Sequence, residues 1–172
     1  MGGKTDYSKR FLPTPVRRTK VNVAIGLLRK DGKVLVARRH ADGHQGGLWE
    51  FPGGKLHLNE SPEVGLIREI QEEVGVTVKI DDFYMLSRYS DDSHDVTLNV
   101  FLCSIKSGVV KSMEGQAIDW MTLEQLDQLA MPQANRMIVE RLKLETTVRL
   151  GVTDEEIGLG RAGHTGPFAI RK

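Results

Sequence analysis

The sequence predicts a mixed α/β domain, and three observations carry that expectation. Several short segments place apolar residues at every second position, the period of a strand. Between two groups of such segments stands one acidic stretch whose apolar residues recur at helical spacing. A further helical stretch closes the patterned part of the chain. Helices and strands that each carry one apolar face bury it by stacking in layers. A length of 172 residues suits one domain with a sizeable core.

The elements follow in order. Val21, Val23, Ile25 and Leu27 alternate with Asn22, Ala24 and Gly26 and form a first strand. Asp31-Gly32 is a hairpin turn, and residues 33–37 form the return strand. Residues 40–47 are polar and glycine-rich, hence a loop. Leu48-Trp49-Glu50-Phe51 is a short strand that runs into Pro52-Gly53-Gly54. Ser61 as N-cap and Pro62 in the first turn open a helix, which runs to about Val74 and ends at Gly75. Val64, Ile67, Ile70 and Val74 are its expected apolar stripe. Residues 76–87 form another strand and 91–95 a turn. Residues 96–105 are apolar on both faces, as at the centre of a covered sheet. Residues 117–120 form a short strand. Thr122 with Gln125 makes a capping box for a small helix, Met131-Pro132 breaks it, and a longer helix runs from Gln133 to about Leu150. Residues 21–150 make up the expected domain. Residues 1–20, basic and polar with Pro13 and Pro15, are expected to be a flexible leader. Residues 151–172, rich in glycine and charge, are expected to be a mobile tail.

Composition narrows the function classes. Lys and Arg number 24 against 23 Asp and Glu, so the net charge is +1 and no global basic field argues for a nucleic acid polymer. No apolar run reaches membrane-spanning length, and the N-terminal residues lack a secretory stretch. Cys103 is the single cysteine, which rules out an intrachain disulfide and suits a reducing cytoplasm. A monomer or weak dimer is expected.

The chemistry lies in residues 54–76. Glu69, Glu72 and Glu73 stand at i, i+3 and i+4, so a helix projects all three carboxylates from one side. Like charges so placed repel, and a cation among them relieves the repulsion. Carboxylates without cysteine or a paired histidine suit a hard, oxygen-seeking ion such as Mg²⁺, with Mn²⁺ as substitute. The ordinary alternative is a solvated acidic helix, which leaves the spacing of the preceding loop unexplained.

Gly54, Glu60, Arg68, Glu69, Ile70, Glu72, Glu73, Gly75 and Val76 fill every fixed position of the pattern G-x5-E-x7-R-E-U-x-E-E-x-G-U, where U is aliphatic. The chain therefore resembles the Nudix hydrolases, and the resemblance implies their fold, an α/β/α sandwich with a mixed sheet between helices. The resemblance implies Glu69, Glu72 and Glu73 as metal ligands, joined by a backbone carbonyl of Gly53 or Gly54. It implies that Arg68 holds glutamates in place, with Glu60 as its partner. Further runs narrow the resemblance to the MutT branch: Ala37-Arg38-Arg39-His40-Ala41-Asp42, Leu48-Trp49-Glu50-Phe51-Pro52-Gly53-Gly54-Lys55, Glu114-Gly115-Gln116, Trp120-Met121 and Met131-Pro132-Gln133-Ala134-Asn135. That branch hydrolyses 8-oxo-dGTP to the monophosphate and pyrophosphate. It implies Glu114 as a carboxylate near the metals and a candidate base, Arg39 as a phosphate contact, and Phe51 and Asn135 as the base pocket. An amide carries one acceptor and one donor end, which complements the O6 and N7–H edge of 8-oxoguanine.

Other readings of single residues stay open: Glu114 as an exposed loop residue, Asn135 as a helix N-terminal residue, Arg38 as solvent-facing. Residues 89–95 do not follow the branch. Competing functions are a diphosphatase for CTP, methylcytosine or a broad range of nucleotides, and a non-catalytic nucleotide-binding module. Loss of a box glutamate would favour the last, and none is lost.

Overall fold

The structure, a computed structural model, describes residues 18–43, 45–90 and 93–149, with backbone alone for 148 and 149. The expected tail and all but the last residues of the expected leader lie outside these. The elements are β1 (Thr19–Lys30), β2 (Lys33–Arg38), β3 (Trp49–Glu50), β4 (Gly53–Lys55), α1 (Pro62–Val74), β5 (Thr77–Ser90), β6 (His94–Ser107), β7 (Ile118–Met121), α2 (Leu123–Gln128) and α3 (Gln133–Arg149).

β1 organises the sheet. Asp31 and Gly32 both take positive φ (49° and 73°), the turn that matches strand twist, and return the chain as β2. On its other edge β1 pairs with β6 in parallel, from Thr19↔His94 to Leu28↔Cys103. β5 pairs antiparallel with β6 and ends the order β3-β2-β1-β6-β5. β7 pairs with β2. The sheet is thus mixed, as the resemblance implied. β4 was not expected as a strand, since Gly53-Gly54-Lys55 carries no strand signal. Its ladder is imposed by β1, through Val23↔Lys55 and Ile25↔Gly53. β1 therefore forks: its middle pairs with β4 and its end with β2.

Alternation along β1 sends Ile25 and Leu27 to one face and Ala24 and Leu28 to the other. The first face packs with Phe51, Val36, Leu98 and Val100 against Leu126 of α2 and Ile138, Val139 and Leu142 of α3. The second packs with Leu35, Phe101 and Cys103 against Leu66, Ile70 and Val74 of α1. These are the two apolar layers of an α/β/α sandwich. Arg136 of α3 donates to the carbonyls of Leu126, Asp127 and Leu129, which closes the end of α2 and ties the two helices together. Among the described residues no helix is long and apolar enough to cross a membrane.

α1 starts and stops as expected. Ser61 Oγ accepts the Val64 N–H at 3.3 Å, and Gly75 (φ 72°) donates to Gln71 O. Its buried face differs from the expected stripe. Leu66, Ile70 and Val74 are buried, while Val64 is 60% and Ile67 36% exposed. The cause lies in the sheet. Gly26 gives the helix its seat: a Cβ there would stand 2.6 Å from Ile70 Cδ1. With Ile70 fixed on β1, Leu66 and Val74 one turn away on either side must follow. Each such side chain contributes about 1.5–3 kcal/mol on burial.

Candidate active site

The orientation of α1 grades its carboxylates. Glu73 lies about 60° around the helix from the centre of the buried arc, and Glu69 and Glu72 lie progressively further. Burial follows: the Glu69 side chain is 22% and that of Glu72 57% exposed. Glu73 is the most enclosed of the three. Its Oε2 accepts the Gly53 N–H at 3.0 Å. Burial pushes its carboxyl up to about 7; the Gly53 N–H opposes this, and the charges of Glu50 and Glu114 add to it.

Arg68 organises the other carboxylates. Its Nε and Nη2 fork onto Glu60 at 2.9 and 2.8 Å. Its Nη1 donates to Glu69 at 2.8 Å and Glu72 at 3.2 Å, and Nη2 also reaches Lys55 O at 3.3 Å. Glu60 Oε2 accepts the His57 N–H at 2.8 Å, which shapes the loop before the helix. The Arg68 hydrogen bonds, with that from His57 second, hold the Glu60 carboxyl down at about 2.

Two glycines bring backbone up to this cluster. Gly53 takes φ 142°, a conformation L side chains rarely adopt, and a Cβ there would strike the Ala24 carbonyl. A Cβ on Gly54 would strike the Glu69 carboxylate. β4 therefore lies where only bare backbone fits, between β1 and the acidic face of α1.

A cavity of about 230 Å³ opens beside Glu73, lined by Arg38, Arg39, His40, Glu50, Glu114 and Gln116 among others. Three carboxylates and two guanidiniums thus share one opening. Arg39 Nη1 donates to Glu50 Oε2 at 2.7 Å. Burial raises the Glu50 carboxyl while Arg39 pulls it down. Arg38 Nε donates to Gly47 O at 2.9 Å and so holds the 40–47 loop. Glu50 and Gln116 were not singled out in the sequence. A carboxylate inside the apolar run Leu48 to Phe51 was the signal for Glu50; buried Gln116 gave none.

Phe51 and Asn135 meet each other and are not among the residues that line this cavity. Residues 49–55 leave the β2 ladder and join that of β1, so the Phe51 N–H falls between two ladders. Asn135 Oδ1 accepts it at 2.9 Å. Both residues are buried, Phe51 in the α2–α3 layer.

Of the expected site residues, the structure gathers Arg68, Glu69 and Glu72 in one knot. It places Arg39, Glu73 and Glu114 around the cavity, with Gly53 and Gly54 between knot and cavity, and pairs Phe51 with Asn135. Among the described residues no three carboxylate, imidazole or thiol side chains converge as a ready metal cage. The oxygens of Glu69 and Glu72 face Arg68, and one of Glu73 faces the Gly53 amide.

Residues 23–141 match the family model described as NUDIX domain. The 8-oxo-dGTP diphosphatase of Escherichia coli K12 is 34% identical over 125 residues, covering 72% of this chain and 97% of that protein. The CTP pyrophosphohydrolase of the same organism is 29% identical over 120 residues, covering 70% and 89%. The crystal structure of the MutT protein from Methanosarcina mazei Go1 superposes with a TM-score of 0.67 at 28% identity, covering 75% and 96%. Nudix hydrolases generally use divalent metal ions. With the box residues complete, the mixed sheet in place and the match running through most of the chain, the protein belongs to the Nudix hydrolase family, as a MutT-like member.

Proposed function

We propose that the protein is a Mg²⁺-dependent nucleoside triphosphate diphosphatase that converts 8-oxo-dGTP to 8-oxo-dGMP and pyrophosphate. The observation that carries this is the cavity in which Glu73, Glu114 and Glu50 stand with Arg38 and Arg39. A triphosphate tail needs cations, and the carboxylates need them as well.

The residues present fit a hard divalent ion. Every donor is oxygen, Glu73 is enclosed among like charges, and Gly54, bare of a Cβ, lets the Glu69 carboxylate lie directly against backbone. Glu69, Glu72, Glu73 and Glu114, with the carbonyl of Gly53 or Gly54, would hold it. When bound, the cation neutralises phosphate charge and acidifies water. Arg68 keeps Glu69 and Glu72 within reach from below. Arg39 gives one N–H to Glu50 and retains the others of its five for phosphate oxygens. Glu114 is the proposed general base, taking the proton of water that attacks the β-phosphorus.

For the base, Asn135 supplies the amide and Phe51 the apolar wall. The Phe51 N–H fixes which end of that amide is oxygen, so its NH₂ is oriented as a donor. Because one lone pair of that oxygen is already engaged and only the second is left for a base, a cytidine or broader nucleotide preference is the second reading, in keeping with similarity to a protein named CTP pyrophosphohydrolase.

Initial rates on 8-oxo-dGTP, dGTP, CTP and 5-methyl-dCTP separate these readings. In ¹⁸O-water the label is expected in pyrophosphate. Label in the monophosphate, or release of orthophosphate, would contradict attack at the β-phosphorus. Failure to hydrolyse any of the four would overturn the assignment.

A further inference from the structure

The segment between β6 and β7 is fastened to the end of α1 through carbonyls the helix cannot satisfy itself. Lys111 N–H donates to Val74 O at 3.1 Å and Met113 N–H to Glu73 O at 3.0 Å. Gln116 completes the attachment. It is buried, and its Nε2 donates to the same Glu73 carbonyl at 3.2 Å. Its Oε1 accepts the Ser112 hydroxyl at 2.7 Å and the Glu114 N–H at 3.2 Å. One amide thus takes hold of Ser112 and of Glu114 itself and ties them to Glu73, whose carboxyl it also helps to hold down. Gly115, at φ 82°, provides the turn between Glu114 and Gln116.

We infer that Gln116 is a positioning residue that sets the Glu114 carboxylate against Glu73 and acts through Glu114 rather than on substrate. The inference deepens the proposed function and rests on the role given there to Glu114. The geometry is economical. Glu114 sits in a loop, where a side chain of that length ordinarily samples several rotamers about a mobile backbone. Anchoring its N–H to a buried amide removes the backbone part of that freedom. Replacing the amide returns it, and leaves the carboxylate chemically intact but misplaced.

The test is Gln116→Met, which keeps volume and removes both hydrogen-bonding ends. Pyrophosphate release is followed with 8-oxo-dGTP and with CTP. The expected loss in kcat is about 10–100-fold, the size typical of residues that orient a ligand carboxylate, with KM changed by less than about threefold. In a Glu114→Gln background the same substitution should lower kcat by less than about twofold, because the two act as a unit. In metal-free protein, exchange of the Glu114 amide proton should quicken by about tenfold or more, with β1 and β6 amides unchanged. Equal kcat losses in both backgrounds, or unaltered exchange at Glu114, would overturn the inference and leave the proposed function standing. A wild-type rate in Glu114→Gln would instead remove Glu114 from the machinery, and the inference with it. Should Gln116→Met not fold, Ser112→Ala removes one hydroxyl from the same amide. It should give the same pattern at smaller size, and no change in Glu114 exchange would count against the inference.

Discussion

Removing the charge of Glu73 should stabilise the metal-free protein, and only above the pH at which an ordinary carboxyl ionises. Its carboxyl is raised from an ordinary 4.5 to about 7, chiefly by burial. The folded protein therefore keeps a proton that the unfolded chain has lost between those two values. Wild-type stability falls as pH rises through that window, is free of the penalty below about 4.5, and carries all of it above about 7. At about 1.4 kcal/mol per pH unit the penalty has a ceiling of about 3.5 kcal/mol. Glu73→Gln keeps an oxygen for the Gly53 N–H and carries no charge, so it escapes the penalty. In chelator at pH 8 its melting temperature should exceed that of wild type by several degrees, up to roughly 10 °C for a domain of this size. At pH 4 the two should melt together. Added Mg²⁺ should close the gap at pH 8, because wild type gains binding energy that the variant lacks. Thermal melts of both proteins at the two pH values, with and without metal, measure all of this. An equal difference at both pH values, or a variant less stable at pH 8, would refute the reasoning.

Further outcomes are expected at Glu72, Arg68 and Asn135 and on removal of metal. Chelator should abolish hydrolysis and Mg²⁺ or Mn²⁺ restore it, and Glu72→Gln should slow turnover by about 10³-fold with the melting temperature in metal-free buffer unchanged or raised, as initial rates and melts will show. Arg68→Lys replaces a fork by a point charge and cannot serve Glu60 and Glu69 together; kcat should drop about 10–100-fold, with weaker Mn²⁺ binding by titration. Asn135→Ala leaves the buried Phe51 N–H without its acceptor and should cost about 1–3 kcal/mol in chemical denaturation. The same Asn135→Ala variant should lose roughly tenfold or more in the ratio of kcat/KM for 8-oxo-dGTP over dGTP, and an unchanged ratio would place base reading elsewhere.

What could be read from the chain was local. Ser61, Pro62 and Gly75 mark the ends of α1 because capping acts within a few residues. Asp31-Gly32 and the Thr122–Gln125 box are legible for the same reason. The buried face of α1 was not, since Val64, Ile67, Ile70 and Val74 satisfy helical spacing as well as Leu66, Ile70 and Val74 do. The choice between them was made by Gly26 on a different strand. β4 was illegible because glycine strands show no pattern and its register belongs to β1. At the candidate site, the box glutamates and Arg68 could be picked out by spacing within one helix. The Arg39–Glu50 pair could not, because it depends on the β2–β3 register that sets Ala37 opposite Glu50. The Asn135–Phe51 bond joins residues 84 positions apart and exists only once the sheet has changed partners between them.

The fork in β1 has a mechanical consequence. One limb, β2 with β3 and β7, bears Arg38, Arg39 and Glu50, while the other, β4 backed by α1, bears Glu69 and Glu73. The two limbs share β1 as a common spine, with pairing to β4 at Val23–Ile25 and to β2 at Arg29–Lys30. Between those stretches β1 has no ladder partner in register from either limb, though Gly26 N–H still reaches Pro52 O at 2.9 Å. Behind that gap the parallel ladder with β6 runs unbroken, from Gly26↔Phe101 to Leu28↔Cys103, so the spine keeps its own twist where both limbs let go. The spacing of guanidiniums and carboxylates is therefore inherited in part from a strand that carries neither, and a substitution near Leu27 that altered its twist would reach the cavity without touching any group that lines it.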